Sequence, residues 1–366
     1  MKMKFLIILI IVTAAIPMLF FPSMADEALK NPEEDETIKI GVFFGITGPA
    51  EVERSNNYQY EMVKFAIEEV NAKGGVLGKK IETLFFDAQS TGLGAKIAAQ
   101  KVVDAGVVAV VGPALSSTAQ GAAPVLQKAK IPMVATTATN PDVTLIGDYI
   151  FRVCFIDPFQ GKVAANFAIK DLGAKSAVVL TNAGNKYSVG LAKFFMKSIQ
   201  ELGGKVLWEG DYSASETDFR SQLEKTKGLN PDVIYLPGYH RDSGFIIKQA
   251  RNMGISVPFL GGDGWGLSMF KYGGDYINGN FFSNNWHVDD PREASKNVVK
   301  RFEEKHGEIR TTLLAYDAVM VVVDAIKRAN STEPQKIQQA LAQTKGYKGA
   351  TGNITFDKNG DPINKS

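Results

Sequence analysis

The chain of 366 residues is 45% hydrophobic and 22% charged, the balance of a soluble globular protein, which excludes a wholly disordered or fibrous chain. Its 41 Lys and Arg face 39 Asp and Glu, and without residues 1–25, which hold Lys2 and Lys4 and no acid, the count is 39 against 39. With neither a basic excess nor a long Lys/Arg run, nucleic acid and anionic membrane surfaces are excluded as expected partners.

Residues 1–25 read as a secretory signal. Lys2 and Lys4 form the charged start, Phe5 to Phe21 the apolar stretch, and Ser23-Met24-Ala25 the small-x-small site before Asp26, so export with cleavage near Ala25 is expected. An uncleaved anchor would suit the uncharged run Phe5 to Ala25, but Pro17, Pro22 and the small-residue ending favour cleavage. Cys154 is the only cysteine, so the chain has no intramolecular disulfide, no cysteine cluster for metal and no cysteine near the signal to carry a lipid. The roughly 340 residues that remain exceed the size at which one core keeps growing, and two domains are expected.

After an acidic leader, 26–36, the run Thr37 to Gly45 suits a strand covered on both faces. Met62, Phe65, Ala66 and Val70 then share one helical face, stopped by Gly74-Gly75. Strand Lys80 to Phe86, a helical stripe through Ala95, Ala98, Ala99 and Val102, and strand Val107 to Val111 complete a βαβαβ order. Such alternation implies a parallel sheet with right-handed crossovers and helices on both sides. It restarts after Pro158: helix to Asp171, strand Ser176 to Thr181, helix Tyr187 to Leu202, strand Lys205 to Tyr212, helix Phe219 to Lys227, strand Val233 to Leu236, helix Ser243 to Met253, strand Pro258 to Leu260. Helices at Arg292 to His306, Leu313 to Ala329 and Gln335 to Gln343 and a hairpin around Thr351 to Asp357 follow. The fold class is α/β, in two similar lobes.

Open α/β sheets bind ligands beyond the carboxyl ends of their strands, so the residues that follow strand runs carry the functional information. Ser116 and Ser117 follow the third strand and precede a helix, where either can cap it or leave its first amides free for an anion; capping alone is the simpler reading. Thr136-Thr137-Ala138-Thr139-Asn140-Pro141 follows strand Pro132 to Ala135, and its hydroxyls can serve a ligand or one another. In the second lobe Tyr187 opens a helix, Tyr239 follows a strand, and Asp263 sits in Gly261-Gly262-Asp263-Gly264-Trp265 after another. Helix packing, a loop aromatic and a turn acid would explain them singly; their shared place at strand ends raises them above that.

Catalytic patterns are scarce. His240, His287 and His306 lack metal-ligand spacing. The sequence has no G-x-G-x-x-G opening a helix after the first strand, no phosphate-cradling G-x-x-x-x-G-K-[ST] and no G-x-S-x-G elbow. Cys154 lies in the apolar run Ile150 to Phe155, the setting of a buried thiol rather than a nucleophile. No enzyme, cofactor or metal is expected.

Several segments together resemble the periplasmic substrate-binding proteins of the leucine/isoleucine/valine-binding type, which serve ABC importers. They are Ile38-Lys39-Ile40-Gly41 with Thr47-Gly48-Pro49, Val70 to Gly78 (V-N-A-K-G-G-V-L-G), Val111-Gly112-Pro113 with Ser116-Ser117, Ala138-Thr139-Asn140-Pro141, Tyr187 with Gly190, Tyr235 to Tyr239, and Gly262-Asp263-Gly264. The resemblance covers nearly the whole chain beyond the signal. It implies a type I periplasmic binding protein, with two Rossmann-like lobes of parallel sheets joined by a three-segment hinge that closes on a ligand. The boundaries it suggests are 1–25 signal, 26–36 leader, 37–157 with 288–328 for lobe 1, and 158–287 with 329–366 for lobe 2.

By that resemblance Ser116 and Thr139 hold a ligand carboxylate, the Thr137 carbonyl, the Thr139 hydroxyl and Asp263 hold an ammonium, Ala138 lines the loop, and Tyr187 and Tyr239 close over the ligand. The implied function is capture of an amino acid, branched-chain or otherwise apolar, for an ABC permease, by a monomer without cofactor. The same fold binding an aromatic or aliphatic carboxylate or amide, or acting as a ligand sensor, is the alternative. Three departures stand out. The family's first-lobe disulfide has no cysteines at the matching positions near Ser90 and at Leu115, and Glu51 to Arg54 is charged where relatives often place an aromatic or small residue against the ligand side chain. Relatives also usually run on through another strand after the turn at Phe356 to Asp361.

Overall fold

The structure, a computed structural model, describes residues 37–48, 50–213, 215–363 and 365, with only the backbone described for 50–57. The signal and leader segments, Pro49 and the side chains of Glu51 to Arg54 therefore lie outside the described residues.

Strands β1 (Thr37–Phe44), β2 (Lys80–Asp87), β3 (Ala109–Val111), β4 (Met133–Ala135) and β5 (Ile150–Arg152) form a parallel sheet in the order β2-β1-β3-β4-β5. Their crossovers are α1 (Ala50–Ala72), α2 (Gly92–Asp104), α3 (Ser116–Ala129) and a short 3₁₀ segment, Pro141–Ile146. The chain then enters α4 (Asp157–Asn166) and a second parallel sheet of β6 (Ser176–Asn182), β7 (Lys205–Tyr212), β8 (Val233–Tyr235), β9 (Phe259–Gly261) and β10 (Phe281–Phe282). Its order, β10-β9-β8-β6-β7, is that of the first sheet read from the other edge. The helices α5 (Lys186–Glu201), α6 (Arg220–Leu229), α7 (His240–Asn252) and the one-turn α8 (Phe270–Gly273) belong to it. Beyond it come α9 (Glu293–His306), α10 (Leu314–Ala329), α11 (Pro334–Ala342) and a hairpin of β11 (Tyr347–Gly349) and β12 (Gly352–Ile354).

The two-residue repeat of a strand explains why each sheet is covered twice. Ile38, Ile40, Val42 and Phe44 of β1 point into one hydrophobic cluster and Phe43 into another. In the second sheet Ala177 and Val179 face one cluster while Val178 and Leu180 face a second. Strands apolar on both faces must be sandwiched, and the crossover helices supply the layers.

Most element positions agree with the sequence reading, with adjustments where short buried strands give periodicity little to work on. The expected strand Val107 to Val111 narrows to Ala109–Val111, the hairpin turns at Ala350-Thr351 rather than beginning there, and β10 is an unforeseen two-residue edge strand. The tail needs a larger correction. Residues 329–366 were expected in the second lobe, but Ile337 and Leu341 of α11, with Ile354 and Phe356, pack in the cluster of β1, α1 and α10 on the first sheet. Helix α10, buried on most of its circumference, carries them there, a placement that helical periodicity alone does not specify. No helix among the described residues is long and apolar enough to cross a membrane.

Candidate functional site

In each sheet the strand order reverses beside the first strand, between β1 and β3 and between β6 and β8, and a ligand crevice lies where the loops at the strands' carboxyl ends part. All the residues singled out in the sequence follow such ends.

Ser116 is the first residue of α3, and the residue before the helix is Leu115, with no side-chain cap. The capping reading is therefore corrected. The Ser116 hydroxyl accepts from the Asn140 N–H at 3.2 Å, because β3 and β4 are neighbours and their following loops meet. The threonines of the next loop divide by role. Thr136 donates to Gln59 of α1 at 2.6 Å, and Thr137 donates to the Ala114 carbonyl at 3.0 Å, so both hydroxyls brace the loop. The Thr139 hydroxyl is buried and has no well-formed hydrogen bond. Ala138 is fully buried.

Tyr187, Tyr239 and Asp263 come together on the second sheet. The two tyrosine rings stack with centroids 5.4 Å apart and planes 17° from parallel. The Tyr187 hydroxyl accepts from the Gly264 N–H at 2.9 Å, and a Cβ at Gly264 would stand 2.9 Å from the Tyr187 ring, so the bare backbone is what permits the contact. Tyr239 precedes α7, and its N–H donates to Asp242 at 3.2 Å. Asp263 accepts from Gln160 of α4 at 3.0 Å and from Asn285 at 2.9 Å, while its own N–H donates back to Gln160 at 2.8 Å. Burial pushes the Asp263 carboxyl up to about 6, against hydrogen bonds from Gln160, Tyr187 and Asn285 that pull it down.

The two groups meet at Asn140. Its side chain donates to the Lys186 carbonyl at the start of α5 at 2.9 Å and accepts from Gln120 of α3 at 3.1 Å. A Cβ at Gly190, one turn on, would lie 2.6 Å from the Asn140 side-chain nitrogen and 3.2 Å from an Asp157 carboxylate oxygen, so glycine lets α5 reach the first half.

Asp157, Gln160 and Asn285 were missed in the sequence. Asp157 is fully buried, and neither carboxylate oxygen has a well-formed hydrogen bond among the described residues. Its pKa rises to about 8 chiefly through burial, with the Asp263 charge adding to the rise and Thr139 and Arg152 opposing it. Tyr235, whose buried hydroxyl is likewise unpartnered, feels both carboxylates. The strand-end rule would have found Asp157, just beyond the run ending in Phe155-Ile156. Asn285 had no local signal: it joins Asp263 to the Phe155 N–H, which donates to it at 2.9 Å, and only the return crossing of the chain brings it there.

Cys154 is buried and its thiol pKa is raised by that burial. The histidines lie apart: His240 opens α7, His287 is exposed beside Asp289, and His306 stacks on Phe302 at 4.9 Å. Among the described residues no cluster of His, Cys, Asp and Glu is arranged to hold a metal ion.

A family model described as periplasmic binding protein matches residues 37–365. The chain belongs to that family. This family member is 31% identical over 331 residues to the leucine-, isoleucine-, valine-, threonine- and alanine-binding protein of Pseudomonas aeruginosa, a match spanning 89% of this chain and 87% of the relative. Among solved structures it is similar to the leucine binding protein LivK of Thermotoga maritima, with 37% identity and a TM-score of 0.85 over 89% of this chain and 93% of the other. It is also similar to the branched-chain amino acid transporter substrate binding protein LivJ of Streptococcus pneumoniae in complex with isoleucine, with 33% identity and a TM-score of 0.83 over the same shares. Two parallel five-stranded sheets with flanking helices are the type I periplasmic binding protein architecture that the resemblance implied.

Proposed function

We propose that this protein is an exported binding protein that captures an amino acid with an apolar, branched side chain between its two sheets and delivers it to an ABC permease. The observation that carries the reading is the pairing of complementary groups: Ser116 and Thr139, whose buried hydroxyl has no well-formed hydrogen bond, beyond the strands of the first sheet, and the carboxyl of Asp263 beyond a strand of the second, with the buried Asp157 carboxyl beside Thr139. A zwitterion needs donors at one end and negative charge at the other, and charge-assisted bonds in a dry cleft are stronger than neutral ones. In this reading Ser116 and Thr139 take the carboxylate, while Asp263, the Thr137 carbonyl and the Thr139 hydroxyl take the ammonium. Ala138 lines the loop and Tyr187 and Tyr239 cover the ligand. The names of the relatives, as binding proteins for leucine, isoleucine and valine, support the side-chain class.

The assignment of 37–157 and 288–328 to one lobe and 158–287 to the other, hinged closure, cleavage near Ala25 and a monomeric state that binds without turnover belong to the same proposal. The test is a thermal-shift panel on the chain from Asp26, freed of bound ligand by unfolding and refolding. Leucine, isoleucine and valine at 100 times their dissociation constants stabilise by about 2.7 kcal/mol, and 4-methylpentanoate, which lacks the amine, gives a much smaller shift. Shifts with amine-free acids alone would overturn the amino-acid assignment.

A further inference from the structure

Arg152, the last residue of β5, is fully buried, an unusual place for a guanidinium, and its five N–H donors have five acceptors. Nη1 donates to the carbonyls of Ala138 at 2.6 Å and Asn140 at 2.8 Å. Nη2 donates to the Pro141 carbonyl at 3.3 Å and the Thr144 hydroxyl at 2.8 Å. Nε donates to the Asp361 carboxylate at 2.6 Å, the charge that balances it.

Asp361 comes from the turn Asp357 to Asp361 near the far end of the chain. Its N–H donates to Asp357 at 2.9 Å, the Arg152 N–H donates to the Gly360 carbonyl at 3.1 Å, and the Thr144 hydroxyl donates to Asp361 at 2.9 Å. Gly360 sits at φ +84° where a Cβ would collide with the Ile150 carbonyl, so the turn lies flat against β5.

The geometry bears on Thr139. Its two neighbouring carbonyls, Ala138 and Asn140, point to Arg152, and its own carbonyl accepts from the Asp157 N–H at 3.0 Å. In a trans peptide the N–H points opposite to the preceding carbonyl. Fixing the Ala138 carbonyl on Arg152 therefore turns the Thr139 N–H the other way, and the loop's freedom to rotate is removed at three successive carbonyls.

We propose that Arg152 and Asp361 are positioning residues for ligand capture, the C-terminal turn setting through Arg152 the orientation in which Thr139 meets the ligand. The proposal rests on the reading of Thr139 as a ligand contact. A preorganised loop avoids the ordering cost that binding otherwise incurs, and a buried guanidinium with a full set of acceptors is a stiff anchor.

The test compares wild type with Asp361→Asn and Arg152→Lys. The lysine variant keeps the charge pair and loses the planar fork, so it remains informative if the asparagine variant fails to fold. Amide hydrogen exchange of the ligand-free chain is expected to accelerate at least about tenfold within residues 136–144 while β6 exchanges as in wild type. Leucine binding by calorimetry weakens about 10- to 100-fold, the range for charged hydrogen bonds. Unchanged exchange in 136–144, an equal acceleration in both sheets, or leucine binding as tight as in wild type would each overturn the proposal. Should the wild type bind no leucine, the proposed ligand class fails, and the exchange pattern still decides whether Arg152 and Asp361 hold the loop.

Discussion

The two halves of the molecule share one strand order and differ in what they place at the strand ends. The first sheet ends in hydroxyls and backbone groups held from beneath by a buried arginine. The second ends in two stacked tyrosines and a carboxylate steadied by amide side chains. On the proposed function, one topology fixes where the ligand is met, and side chains fix which end of it each half takes.

The sharpest way to break this division is Asp263→Ala. Leucine affinity should fall by roughly 2 to 5 kcal/mol, the range for removing one partner of a buried charge pair, while 4-methylpentanoate, with no amine, should bind as it does to wild type; calorimetry with both ligands gives the answer. Ser116→Ala should act on both ligands, weakening each by about 1.5 to 3 kcal/mol, the value of a hydrogen bond to a charged group. A loss confined to leucine would place Ser116 on the wrong end.

A pH series separates the halves without mutation. The Asp263 and Asp157 carboxyls sit at about 6 and about 8 in the folded chain, above the usual carboxylate value of about 3.9. Groups raised on folding contribute stability that is complete below about pH 4 and is lost as pH rises through the folded values, so the ligand-free protein should lose stability between about pH 4 and 8. Binding an ammonium requires the ionised forms, so leucine affinity should change in the opposite sense, about tenfold tighter at pH 8 than at pH 5 through Asp263 alone. A flat affinity profile would remove the carboxylates from the ammonium end. The smallest effect is expected from Tyr187→Phe, which keeps the stacked ring and loses the hydroxyl bound to the Gly264 N–H, at about 1 kcal/mol.

Strands covered on both faces and helices at regular spacing make the two α/β halves legible in the sequence alone. The strand-end rule likewise reached Ser116, Thr139, Tyr187, Tyr239 and Asp263, because a parallel sheet puts its carboxyl ends on one edge. Asp157, just beyond the run ending in Phe155-Ile156, lay within reach of the same rule and was missed, and the rule treated Thr136, Thr137 and Thr139 alike although only the last hydroxyl lacks a well-formed hydrogen bond.

Local pattern, then, determined the class of fold and the strand ends that carry the proposed site, since hydrophobic periodicity and turn residues act over a few positions of the chain. Tertiary structure alone decided that α11 and the hairpin lie on the first sheet, that Asn285 reaches Asp263, and that Asp361 faces Arg152. Those pairings join residues 22 to 209 positions apart, and their partners are chosen by burial and charge balance in the folded chain rather than by any spacing within a segment.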